Sequence, residues 1–223
     1  MKSVVRGTAV AAALVLALTG CEESTPAAGS GKASGAPGKT QEGAVDPSQP
    51  LISLDPTGLM NALPIESQVG DVMVGGEPFL AQGDDAVQYC VQEEGIDCVD
   101  VDAVAGKDME ERSDSSDTRV EFRLYSFETV EQAQAAMKAQ VDTWRKADAT
   151  SGGRWQQKTV DSGADETEAV RDDKVDVDVV VMRLGTVVSH IVALDVLPEN
   201  VKHAAVVQAS QIQAAALTRN GGH

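Results

Sequence analysis

Residues 119–125 alternate cleanly in polarity. Val120, Phe122 and Leu124 face one way, and Glu121, Arg123 and Tyr125 face the other. A period of two is that of a half-buried strand. A few residues later the period lengthens. Val130, Ala133, Met137, Val141 and Trp144 recur at spacings of three and four, which predicts a helix over 130–147 with one buried face. Thr129 and Gln132 stand as a capping box at its start. Glu131 near that start and Lys138, Arg145 and Lys146 near the end complement the helix dipole. Trp144 lies on the apolar face, where it is expected as a core anchor rather than a ligand platform.

The same reading extends along the chain. Asp55-Pro56 opens a short helix over 56–63, with Asp as the cap and Pro at the first helical position, and Pro64 ends it. Residues 69–74 read as a strand. Gly83-Asp84-Asp85 opens a second short helix that Gly95 closes. Strands are expected at 154–160 and 168–171. Two runs rich in β-branched residues, 175–184 and 186–194, flank Gly185 and predict a hairpin. Pro198 begins a helix to about residue 218 that is rich in Ala. The sum is an α+β domain over 51–220, an antiparallel-leaning sheet with two long helices packed on it.

Residues 1–20 obey a different rule. Lys2 and Arg6 precede a short apolar stretch over 7–18, shorter than the roughly 20 residues a spanning helix requires. A charged start, a short apolar core and small residues before a cut site describe a secretory signal. The segment ends in Leu18-Thr19-Gly20-Cys21, which resembles the lipobox of bacterial lipoproteins. Cleavage before Cys21 and lipidation of that cysteine would anchor the chain to the outer face of the cytoplasmic membrane. Two acyl chains make such an anchor stable, at about 0.8 kcal/mol per buried CH₂. Residues 21–50 then follow as a lipidated cysteine and flexible linker, dense in Gly, Ser, Ala and Pro, with Val45 as the only large aliphatic. As a coil it spans on average about 30 Å.

Charge narrows the partners. The chain has 18 basic and 35 acidic side chains, and loss of Lys2 and Arg6 leaves 16 basic against 35 acidic, a net charge of −19. Such a surface repels nucleic acid and anionic lipid heads, so no nucleic acid partner is expected and membrane contact is assigned to the lipid on Cys21.

Cys90 and Cys98 remain as an even pair in an exported domain. Eight residues of unbroken helix would hold them about 12 Å apart, beyond the roughly 7 Å limit for a disulfide. The chain is therefore expected to fold back at Gly95 and the pair to form a structural disulfide, since Cys-x7-Cys matches no redox or metal spacing. Chemistry-bearing motifs are otherwise missing: the sequence has no G-x-S-x-G, H-E-x-x-H or Walker A pattern. His190, His203 and His223 form no ligand pattern, and His190 reads as a strand residue rather than a base. Asp172, Asp173, Asp176 and Asp178 lack the glycine and terminal glutamate of an EF-hand, and Asp176 and Asp178 alternate with valines as if on a solvent face. Asp97, Asp100, Asp102, Asp114 and Asp117 read as solvated too. No catalytic residue, metal site or cofactor is expected.

Several of these features in order resemble the PknH-like extracellular sensor domain of actinobacterial receptor kinases and their stand-alone lipoprotein relatives. The residues concerned are Leu51-Ile52-Ser53-Leu54-Asp55 before a short helix, Cys90 in a helix, and 125–133 (YSFETVEQA). The hairpin 179–188 (VVVMRLGTVV) and the terminal Ala-rich helix complete the set. The resemblance implies a module with a cleft and disulfides that binds a ligand rather than turning one over. This chain departs in having one candidate disulfide and no kinase. The expectation is a lipid-anchored, non-catalytic binding or sensing module of the cell envelope, taking a small-molecule, cell-wall or protein ligand. The alternative is a lipid or glycolipid carrier, which requires an apolar cavity. A hydrolase working through carboxylates alone is the remaining enzymatic option.

Overall fold

The computed structural model describes residues 51–70, 73–93, 95, 98, 100–112 and 117–220; the expected signal segment, Cys21 and the expected linker lie outside these residues. Two short helices come first, α1 (Pro56–Asn61) and α2 (Glu66–Val69). Strands β1 (Met73–Gly75) and β2 (Phe79–Gln82) lead to α3 (Asp84–Glu93), β3 (Val101–Glu111) and β4 (Arg119–Phe127). After α4 (Val130–Ser151) come β5 (Trp155–Lys158), β6 (Glu166–Asp172), β7 (Val177–Leu184) and β8 (Val187–Leu194), then α5 (Pro198–Asn220).

The eight strands among the described residues join one antiparallel sheet in the order β1-β3-β4-β8-β7-β6-β5, with β2 also pairing with β3. The strands β1 and β2 share one edge of β3, the first against Met109–Glu111 and the second against residues 103–106. The expected α+β class, with two long helices on an antiparallel sheet, is the one observed.

Helices cover both faces of the sheet. Val120, Phe122 and Leu124 of β4 join the core beneath α1, α2 and α5, with Met182, Leu184 and Ile191 from the hairpin. Tyr125 and Phe127, on the other face, pack beneath α3 and α4 with Val181, Val188 and Met137. This corrects the expectation of a half-buried strand: Tyr125 is 1% exposed. The period of two stays visible because the edges of the covered zone take polar side chains.

The caps behave as the sequence indicates. Asp55 accepts a hydrogen bond from Gly58 N at 2.8 Å. At α4, Thr129 Oγ1 accepts from Gln132 N at 3.2 Å while Gln132 Oε1 accepts from Thr129 N at 2.9 Å. Residues 69–74 divide instead of forming one strand: Val69 ends α2, and pairing resumes at Met73. The strands β2 and β3 were not anticipated. Cys90, on α3, and Cys98, ahead of β3, are bonded, with Cα atoms 6.0 Å apart. Gly95 between them has φ +64°.

At the centre of the sheet, Gly185 and Thr186 connect β7 to β8 across the Leu184–Val187 pair. Gly185 has φ +58°, as the first central residue of a type II′ turn requires. Thr186 N donates to Ile52 O at 2.9 Å, so the segment entering the domain is fastened to this turn. Arg183, 2% exposed, donates to Glu166 at 2.8 Å, Asp165 at 3.1 Å and Gly185 O at 3.0 Å.

Candidate functional site

Side chains alternate between faces along β5 and β6, so Trp155, Gln157, Glu168 and Val170 share the α4 side of the sheet. Val141, Trp144, Arg145 and Asp148 lie on one face of α4 at helical spacing. Together these eight residues line a cleft of about 160 Å³.

The loop after α4 determines its shape. Gly152 and Gly153 both have positive φ, 95° and 66°, which turns the chain sharply back at the helix end. Asp148 Oδ1 then accepts from Arg154 N at 2.6 Å and Trp155 N at 2.9 Å, holding the first residues of β5 against the helix. The result brings Trp155 to the cleft that Trp144 also lines. Behind Trp144 lies His190, buried in β8, with ring centroids 5.0 Å apart and planes tilted by 35°. Trp144 thus packs on the core, as expected, yet it is only half-buried and also walls the cleft. On the rim, Glu168 Oε2 accepts from Gln157 Nε2 at 2.8 Å and lies 3.4 Å from Arg145 Nη2, linking helix and sheet.

The aspartate-rich segment has another fate. Asp178 points into the α5 face and is 6% exposed, and Asp172 is 1% exposed on the α4 face. Neither is the solvated carboxylate expected, because helices cover both faces. Asp172 pairs with Arg154 at 3.2 Å and accepts from Lys174 N at 2.9 Å. Arg171 pairs with Asp173 at 2.9 Å and also with Asp176 and Asp178. Asp176 lies in the β6–β7 turn with φ 54°. A larger hollow of about 500 Å³ adjoins this group, with Lys158, Ala169 and Val180 on the sheet, Val160 just past β5, and Val201 and Lys202 on α5. Its charged walls are largely neutralised by one another.

Burial pushes the Asp178 carboxyl above its ordinary value of 3.8, and Arg171 offsets only part of that. An acid with a raised folded value penalises the folded state when ionised, and the penalty fades as pH falls through that value. Compared with Asp178→Asn, the wild type is therefore expected to gain stability from about pH 7 down to about pH 4. Paired urea titrations measure this. A wild type that loses ground to the variant would show that Arg171 outweighs burial.

Among the described residues, no group of three or more His, Cys, Asp or Glu side chains is placed to hold a metal ion. Asp100, Asp102 and Asp117 are exposed, whereas Asp97 and Asp114 lie outside the described residues. His203 meets Gln68 O at 3.0 Å, and His223 is not among the described residues. Cys21 is also outside them. Among the described residues, no helix is long and apolar enough to cross a membrane.

The cleft was missed in the sequence because Trp155 sits in a short polar stretch, Trp155-Gln156-Gln157-Lys158, with no period to read. The available signal was the pair Gly152-Gly153 after a long helix, which returns the next residues to the helix's last turns.

No protein-family model matches the chain, and no curated protein matches it. Among solved structures, it is similar to the crystal structure of the extracellular domain of PknH from Mycobacterium tuberculosis. The TM-score is 0.53 at 14% identity, over 73% of this chain and 98% of that one. At that identity the likeness is one of fold. It agrees with the fold that the PknH-like resemblance implied.

Proposed function

We propose that this chain is a lipid-anchored, non-catalytic binding or sensing module of the cell envelope. Residues 1–20 act as a signal peptide, 21–50 as lipidated cysteine and tether, and 51–220 as the sensing domain. The observation that carries the reading is the fold, shared over nearly the whole of a domain described as extracellular. The Leu18-Thr19-Gly20-Cys21 sequence supports an address on the extracytoplasmic side of the membrane. The cleft between α4 and β5–β6 supplies a place for a ligand, and its lining includes no hydroxyl or thiol nucleophile. The carrier alternative finds less support, since five of the eleven residues lining the 500 Å³ hollow, Lys158, Arg171, Asp173, Asp178 and Lys202, are charged and interrupt its apolar wall.

Mass spectrometry of the full protein extracted from membranes tests the reading. The expected mass lacks residues 1–20 and carries acyl chains on Cys21, and Cys21→Ser moves the protein to the soluble fraction. An unlipidated wild type in that fraction overturns the anchor. A lipid filling the domain in stoichiometric amount overturns sensing in favour of carriage.

A further inference from the structure

We infer that the cleft beneath α4 is a saccharide subsite, taking one six-membered sugar ring against its two tryptophans. The inference rests on the binding reading above and names its ligand class.

Size is the first constraint. At about 160 Å³ the cleft is well below the roughly 300–1,000 Å³ of pockets for drug-sized ligands. A cavity of about 150 Å³ admits a single benzene ring. The cleft is thus of single-ring size, and its open rim, where the side chains of Arg145 and Gln157 are exposed, leaves the ring's substituents and any further units outside.

Surface chemistry is the second. The chain has two tryptophans in 223 residues, and both line this cleft half-buried. Each presents a broad apolar ring with one polar handle. His190 backs Trp144 from the protein side, so the indole is held as a wall rather than collapsing into the core. A pyranose has apolar C–H faces that suit such walls.

The rim separates a sugar from an ion. Hydroxyl groups both donate and accept; a guanidinium only donates, a carboxylate only accepts, and an amide does both. Arg145, Gln157 and Glu168 offer all three kinds side by side. A cationic ligand would meet Arg145. It would also find Asp148 engaged by two backbone amides. An anion would meet two carboxylates on a chain of net charge −17. A neutral polyol meets neither difficulty.

Because both tryptophans are in the cleft, tryptophan emission excited beyond the tyrosine band reports on it. The full protein, in a detergent without a sugar head, is titrated with glucose, N-acetylglucosamine and β-linked disaccharides of each. Choline and inorganic phosphate form the comparison arms. At least one saccharide is expected to shift the emission saturably, with a dissociation constant of roughly millimolar order for a single ring. Trp155→Ala, with Trp144 still reporting, and Gln157→Ala should each weaken it about tenfold or more. Gln157 is exposed, so its variant keeps the test intact should Trp155→Ala fail to fold. A saturable response to choline or phosphate with none to any saccharide overturns the sugar assignment and leaves the binding reading standing. If no probe responds, the assignment also fails. If a ligand then co-purifies equally with wild type and Trp155→Ala, binding survives but belongs elsewhere in the domain.

Discussion

Gly185→Ala is expected to melt about 10 °C below the wild type. The left-handed backbone at this residue, φ +58°, costs an L-residue roughly 1–2 kcal/mol. A Cβ there would also overlap the carbonyl oxygen of Ile52 and stand 2.8 Å from its carbon. That neighbour is backbone, so residues 51–54 must shift. With them goes the hydrogen bond from Thr186 N, worth about 1 kcal/mol. Part of the burial of Leu54, now 4% exposed, goes too, at about 1–2 kcal/mol. The total is about 4 kcal/mol, and a domain of this length loses roughly 2–4 °C per kcal/mol. Circular dichroism melting reads it directly. A midpoint within about 3 °C of the wild type would mean that the entering segment is not fastened at the turn.

Arg183→Met is expected to cost about 3 kcal/mol in urea denaturation. The guanidinium is 2% exposed, and its side-chain partners Asp165 and Glu166 are 34% and 38% exposed. Removing it strands no fully buried carboxylate, which places the cost at the lower end of about 3–5 kcal/mol for a broken buried pair. It does take the donor from Gly185 O and loosens Asp165, whose Oδ2 also accepts from Gly185 N at 2.7 Å. The effects of Arg183→Met and Gly185→Ala should fall short of additive, because both act on one turn. A loss below about 1 kcal/mol would identify the arrangement as a surface ion pair in all but position.

Legibility followed the kind of signal each element carries. The hairpin β7–β8 and the helix α4 were readable because β-branched runs, capping residues and a spacing of three and four are local properties. The eleven residues of β3 were not, although it is an inner strand paired along both edges. It carries Lys107, Asp108, Glu110 and Glu111, and its polar groups find partners far away in sequence: Lys107 pairs with Glu66 at 2.8 Å, and Asp108 pairs with Arg123. Nothing local marks such a strand as buried. Phe79 of β2 illustrates the same point, since its ring lies over Gly106, where an added Cβ would meet it at 2.5 Å or less. Asp178 was read as solvated for a related reason: alternation with valine shows that two faces differ, and only the packing of α5 shows that both are covered. Trp144 was placed correctly on its helix, but its second role required Trp155, brought alongside by the turn at Gly152 and Gly153.

The clasp between Ile52 and Thr186 also has a mechanical meaning. A pull on the chain at Leu51 reaches the domain through the backbone hydrogen bond from Thr186 and the seats of Ile52 and Leu54. Those few contacts are expected to yield before the rungs between strands, so that residues 51–54 peel away as a short fuse. Only when that slack is spent does tension arrive at α1, still leaving the hairpin in the middle of the sheet unloaded.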